Sequence, residues 1–218
     1  MAYISYQGEL VENIHEHGIN YKTREIFIAP TEPDGDVDCV MASQFIKNIQ
    51  YLNSINDNPI LIHIGTCGGD WNYGMAIYDA ITASSSYITT LSYGHARSMS
   101  SIFPQAADKR VLTPHCDFMI HEGTFAYEGT SRGARHNTAW FCDKAMKTMM
   151  DIYTERCMGG TYFKDFTDRR VRTFLINKIK EKEDWFITAQ DAVKYGFMDG
   201  ILGEQGFENT KVLLTPEG

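Results

Sequence analysis

Short apolar runs alternate with amphipathic segments along the chain, and the two patterns predict different secondary structures. The apolar runs are rich in β-forming residues, which is typical of buried strands. They occupy residues 24–29, 60–64, 87–93, 109–112, 118–121 and 198–202. The segments between them have helical spacing, notably 73–83, 98–107, 138–157 and 163–180. Repeated strand–helix–strand alternation indicates parallel strands joined by right-handed crossovers, so we expect an α/β fold.

Composition narrows the function classes. The 218 residues are enough for one large domain with a core, and no internal repeat or linker divides them. The net charge of −8 disfavours nucleic acid as a partner, because phosphate binding needs clustered Lys and Arg. We find no apolar stretch of membrane-spanning length and no secretory signal at the N-terminus. The five cysteines have no paired spacing, so we expect reduced thiols and a cytoplasmic protein.

Candidate chemistry lies at the ends of two apolar runs. Ser98 comes a few residues after the run at 87–93, His121 closes the run at 118–121, and Asp184 comes later in the chain. A serine needs a base to take its proton, an imidazole can serve, and a carboxylate can hold the imidazole in the required tautomer. The backbone N–H groups of Gly69 and Met99 are our candidate oxyanion donors, since a glycine lets the backbone approach a substrate.

Each of these residues alone has a simpler interpretation. Ser98 fits a helix N-cap, and His121 fits a hydrogen-bonded structural histidine. Asp184 fits a surface charge, with Glu181 and Glu183 as equal rivals. Only the joint pattern favours a nucleophilic hydrolase over these alternatives. Cys67, beside the glycine pair, is expected to be a small buried residue rather than a reactive thiol.

Four sequence blocks resemble the proteolytic subunit of the ATP-dependent Clp protease, ClpP, peptidase family S14. They are Gly68-Gly69 with Gly74-Met75-Ala76-Ile77-Tyr78-Asp79, then Gly94-x-Ala96-x-Ser98-Met99, then Met119-Ile120-His121, and then Asp184-x-Phe186-x-Thr188-Ala189 continuing to Asp199. The blocks stand in the family's order and span most of residues 24–202. The chain resembles a divergent member, of the kind expected from a phage or an unusual bacterium.

The resemblance implies a ClpP/crotonase-like fold of repeated βαβ units with a protruding handle helix at about 138–157. It implies an axial-loop-like segment at 1–22, a peptidase domain at 23–203 and a tail at 204–218. The implied function is a self-compartmentalising serine endopeptidase with a Ser98, His121, Asp184 triad and an acyl-enzyme intermediate. The implied assembly is two stacked heptameric rings, which receive unfolded polypeptides from an AAA+ unfoldase such as ClpX, ClpA or ClpC. No cofactor or metal is implied.

Some residues depart from the family pattern. Thr66-Cys67 stands where the family has Ser-Pro, and Arg97 replaces a small residue before the nucleophile. We count Gly68 and Arg97 as accessory residues, with the Arg97 charge either aiding the oxyanion or filling substrate space. Ser100 and Ser101 also follow where glycine and a small residue are common. The segment at 158–182 is longer than in typical members.

Two other functions remain open at this point. The first is a non-catalytic ring subunit that assembles with or modulates another protease, which predicts the loss of a triad member. The second is a crotonase-like acyl-CoA enzyme, which also uses an oxyanion hole but does not need the Ser98, His121, Asp184 set.

Overall fold

A six-stranded sheet forms the centre of the molecule, which we describe from a computed structural model covering residues 6–30 and 35–215. Residues 1–5 of the predicted N-terminal segment and 216–218 of the predicted tail lie outside this range. In spatial order the strands are β1 (Ile19–Asn20), β2 (Glu25–Ile28), β3 (Ile60–Ile64), β4 (Ile88–Ser92), β6 (Lys109–Leu112) and β9 (Gly200–Ile201). All neighbours are parallel except the β1–β2 pair. The predicted α/β class with a parallel sheet is confirmed.

Helices follow the strands in the βαβ manner. The first half contains α1 (Tyr6–His17), α2 (Cys39–Ile55), α3 (Trp71–Thr82) and α4 (Met99–Ile102). The second half contains α5 (Ser131–Trp140), α6 (Lys147–Cys157), α7 (Asp168–Lys182), α8 (Ala189–Tyr195) and α9 (Thr210–Leu213). Within the described ranges no helix is both long and apolar enough to cross a membrane.

The inner strands of the large sheet are covered on both faces, and β3 has the most apolar sequence of them. Every residue of β3, β4 and β6 is buried. One face carries Ile62 and packs in the main core with the helices. The other face carries Leu61, Leu91 and Val111, and Leu213 of α9 packs against it. The C-terminal segment therefore covers part of the sheet.

A second, three-stranded sheet has the order β5 (His95–Arg97), β7 (Asp117–Ile120), β8 (Trp185–Ile187). β5 runs parallel to β7, and β8 runs antiparallel to it. The sequence pattern predicts β7 but neither β5 nor β8, because three residues are too few to show a period. The helix predicted from Ser98 to Ala107 is shorter than expected, since α4 passes into a 3₁₀ turn at Phe103–Ala106.

The helical run that contains the predicted helix at 138–157 is longer than expected. Helical backbone runs from Ser131 through a π-helical segment at Phe141–Met146 to Cys157. Its start was missed because Gly133 interrupts the pattern, yet the Thr130 side chain caps the helix by accepting from the Gly133 N–H. α5 has no buried residue, whereas α6 buries one face in the core. The N-terminal part of this helical run is therefore exposed to solvent in the single chain.

Candidate active site

The small sheet brings together three residues that are far apart in sequence. Ser98 directly follows β5, His121 directly follows β7, and Asp184 directly precedes β8. Parallel neighbours end at the same edge of a sheet, whereas an antiparallel neighbour begins there. The Ile120↔Trp185 pair accordingly sets His121 beside Asp184. The topology alone places the three side chains at one edge.

The three side chains form a continuous hydrogen-bonded chain. His121 Nδ1 lies 3.0 Å from Asp184 Oδ1, and His121 Nε2 lies 2.8 Å from Ser98 Oγ. A carboxylate can only accept, so Nδ1–H donates to Asp184 and Nε2 is left to accept from the serine hydroxyl. A general base that is aligned with a nucleophile has this arrangement.

The rival carboxylates have other environments. Glu181 pairs with Lys178 and Lys182, and these two ammonium groups hold its pKa below the usual range. Glu183 ends α7 with a positive φ of 59°. The Asp184 carboxylate is the one that bonds to His121, and its side chain is 57% exposed. Among the three acidic candidates, geometry selects Asp184.

Ser98 has an unusual backbone. Its φ of 52° and ψ of −124° lie outside the regions that ordinary residues prefer, at the turn between β5 and α4. The Ser98 N–H donates to the Met119 carbonyl at 2.9 Å, which continues the β5–β7 ladder to this residue. Strain of this kind costs about 1–3 kcal/mol and persists where neighbouring contacts fix it. The turn thus presents the Ser98 side chain to His121.

Gly68 packs directly against the nucleophile turn. A Cβ on Gly68 would lie 2.8 Å from Ser98 Cβ and 3.0 Å from Met99 N, and the glycine φ is +117°. Any other residue would therefore displace Ser98 or the Met99 N–H. The sequence suggested Gly68 only as an accessory residue, and the structure shows why the position lacks a side chain.

Gly69, the next residue, is paired with Val37 in an isolated β-bridge. Val37 donates its N–H to the Gly68 carbonyl and accepts from Asp70 N–H, a parallel bridge that does not use the Gly69 N–H. Met99 is the first residue of α4, where an N–H has no intrahelical acceptor. Both candidate oxyanion donors are therefore left unused by the secondary structure.

The Arg97 guanidinium contacts two neighbours on the small sheet. Its guanidinium pairs with Asp117 and lies 5.2 Å from the centre of the Phe186 ring. These contacts hold it on the small sheet and favour neither role expected for it. The expectation that Cys67 is buried is wrong, because its side chain is exposed.

Sequence patterns missed two hydroxyls near the nucleophile. The Ser101 hydroxyl lies 2.6 Å from the Ser98 carbonyl oxygen and 2.6 Å from the Tyr153 hydroxyl. The only sequence signal was a serine three positions after Ser98, where the family has a small residue. Nothing in the pattern pointed to Tyr153, which is 52 positions from Ser101.

Comparison with known proteins identifies one family for this chain. Residues 14–205 match the family model of Clp protease. The ATP-dependent Clp protease proteolytic subunit 1 of Protochlamydia amoebophila is 32% identical over 193 residues, covering 86% of this chain and 84% of the relative. The proteolytic subunit of Ligilactobacillus salivarius is 29% identical over 201 residues, covering 91% of each. That of Chlorella vulgaris is 29% identical over 187 residues, covering 83% and 82%. The chain therefore belongs to the Clp protease family and is a serine protease of the ClpP type.

Proposed function

We propose that Ser98, His121 and Asp184 are the catalytic triad of a self-compartmentalising serine endopeptidase. The observation that carries the proposal is the unbroken chain from Ser98 Oγ through both His121 nitrogens to Asp184 Oδ1, with contacts of 2.8 and 3.0 Å. Three groups of matched chemistry within hydrogen-bond reach are what nucleophilic catalysis requires.

The mechanism follows from this geometry. His121 Nε2 takes the Ser98 proton as Oγ attacks the peptide carbonyl, and Asp184 stabilises the imidazolium that forms. The carbonyl oxygen becomes an oxyanion, for which the Gly69 and Met99 N–H groups are the proposed donors. His121 then gives the proton to the departing amine, leaving Ser98 acylated. Water, deprotonated by His121, attacks the ester, and its proton returns to Ser98 as the carboxylic product leaves.

The assembly and the source of substrate form the second part of the proposal. The relatives are named proteolytic subunits of an ATP-dependent protease, and this chain is a member of their family. We expect two stacked seven-membered rings that enclose the active sites, with polypeptides delivered by a Clp-type AAA+ unfoldase. The exposed α5, where Trp140 is 61% accessible, supports a handle that meets another subunit.

The test is covalent labelling of the purified chain with a fluorophosphonate probe. We expect one adduct, on Ser98, carried by a particle of ring-assembly size, and no adduct on Ser98→Ala or His121→Ala of the same size. Ser100→Ala is the matched control, because Ser100 is a buried serine two positions away whose hydroxyl has no hydrogen-bond partner among the residues that the structure describes. A large particle that resists the probe would favour the non-catalytic subunit. A small labelled species would keep the peptidase and remove the compartment.

A further inference from the structure

We propose that Ser101 and Tyr153 are positioning residues, which together hold the Ser98 backbone in its reactive conformation. This inference rests on the proposed role of Ser98 as nucleophile. Neither residue touches the substrate in this proposal. They act through the main-chain carbonyl of Ser98, to which Ser101 is bonded.

The direction of both hydrogen bonds follows from simple chemistry. The Ser98 carbonyl oxygen has no proton, so the Ser101 hydroxyl must donate to it across 2.6 Å. A serine has one hydroxyl proton, so the Tyr153 hydroxyl must donate to Ser101 across the other 2.6 Å contact. The Ser101 N–H also donates to the same carbonyl at 3.0 Å. One carbonyl thus accepts two hydrogen bonds from Ser101, and Tyr153 orients one of them.

The Ser101–Tyr153 pair is sealed from water. Both side chains are fully buried, and burial raises the pKa of Tyr153, which keeps its proton in place for donation. The Tyr153 ring meets Phe197 edge-on with 5.5 Å between ring centres, so it has little freedom to move. A tyrosine held in this way supplies its hydroxyl at a fixed point on α6.

The main chain of Ser101 is also fixed by a hydrogen bond to its carbonyl. Its carbonyl accepts from Gln105 Nε2 at 2.9 Å, and Gln105 Oε1 accepts from Arg110 Nη1 at 2.9 Å. Arg110 is in turn paired with Asp199. The inner members of this polar chain, Ser101, Gln105 and Arg110, are buried, and low dielectric strengthens such bonds. Ser101 therefore offers the Ser98 carbonyl a rigid partner.

The Ser98 turn needs such support because its backbone is strained. Its N–H is fixed on one side by Met119, and its carbonyl is fixed on the other side by Ser101. The position of Oγ follows from the backbone angles, so relaxation of φ or ψ would move Oγ relative to His121 Nε2. A misplacement of about 1 Å costs roughly 100-fold in rate. Removing the support should therefore slow the chemical step and leave substrate binding in place.

The experiment measures the rate of the chemical step per folded molecule. Tyr153→Phe deletes one oxygen and Ser101→Ala deletes the bridge, and each is assayed well below its melting temperature. We expect kcat for a short peptide to fall about 10- to 100-fold with KM within about twofold, and fluorophosphonate labelling of Ser98 to slow by the same factor as kcat. The double variant should be no slower than Ser101→Ala, because the two hydroxyls act as one unit.

Thr154→Val is the matched control. Thr154 neighbours Tyr153 on α6, is buried, and donates its hydroxyl to Met150 within the same helix. We expect it to lower the melting temperature without slowing the labelling of Ser98. Equal labelling rates in wild type, Tyr153→Phe and Ser101→Ala would overturn the proposal, and Tyr153→Phe decides alone if Ser101→Ala does not fold. An unlabelled wild-type chain would instead overturn the nucleophile itself, so the two failures are distinguishable.

Discussion

The two sheets of this molecule differ in burial and in the residues that they position. The six-stranded sheet is built from residues that are buried on both faces, as in β3 and β4. In the three-stranded sheet β8 alternates, with Trp185 and Ile187 buried and Phe186 54% exposed. The large sheet gains its stability from apolar area removed from water. The small sheet buries less and carries Ser98, His121 and Asp184 at one edge.

This contrast indicates that geometry at the site depends on strand pairing rather than on the size of the strands. β5 and β8 have three residues each, and neither would hold its conformation alone. Their pairing with β7 nevertheless fixes where the three candidate catalytic residues meet. Changes in the small sheet should therefore alter the rate, and changes in the large sheet should alter the stability.

The largest expected effect is on the chemistry of the small sheet. Asp184→Asn should lower kcat roughly 10⁴-fold, because an amide at this position favours the wrong His121 tautomer. The melting temperature should barely change, since the carboxylate is more than half exposed. Peptide hydrolysis and a thermal melt on the same sample measure the two quantities.

Glu183→Gln is the control for this substitution. It removes a carboxylate one position away, and we expect activity close to that of the unmodified chain. A near-normal Asp184→Asn together with an inactive Glu183→Gln would show that the third triad member has been misassigned.

An intermediate effect is expected from the large sheet. Ile62 is fully buried in the middle of β3, so Ile62→Ala should lower the free energy of unfolding by about 2–5 kcal/mol. Ile62→Val should cost about 0.5–1.5 kcal/mol. Denaturant titration measures both, and labelling of Ser98 in the folded fraction should stay unchanged. A slower labelling rate at unchanged stability would contradict the division between the sheets.

The smallest effect is expected at Arg97. Its ion pair with Asp117 is partly exposed, and such pairs contribute about 0–1 kcal/mol. Arg97→Ala should therefore change the unfolding free energy by no more than this and kcat by only a few-fold, with Asp117→Asn behaving alike. A 100-fold loss of kcat in Arg97→Ala alone would return the guanidinium to the accessory oxyanion role that the sequence suggested.

Part of the large sheet was predictable because short β-forming runs coincide with its strands, most clearly the nearly all-apolar β3. The predicted bounds of β3 and β6 match the structure. α1 was not predicted, because its mixed charge and lack of a dominant apolar face give no clear helical period. His15 and His17 lie in the last turn of this helix. β5 and β8 were missed because pairing with β7, rather than local pattern, makes them strands.

The candidate site was predictable to a different degree. Ser98, His121 and Asp184 came from four motifs in order, and the structure places His121 within hydrogen-bond reach of both Ser98 and Asp184. Gly68 was predicted only as an accessory residue, because its contact with the nucleophile turn depends on the approach of Ser98 from another segment. The Ser101–Tyr153 pair joins a turn to a distant helix, so only the folded chain brings it together.

The antiparallel pairing of β7 with β8 has a further consequence for how this protein can diversify. His121 and Asp184 are 63 positions apart, yet three paired residues on each strand fix their relative position. The chain between them therefore starts at the end of β7 and returns at the start of β8, and the pairing of these strands fixes both points. Its exposed part, α5, can therefore be lengthened, shortened or exchanged as a module without altering the His121–Asp184 distance. New recognition surfaces can evolve, or be grafted, on this excursion while the chemistry stays as it is.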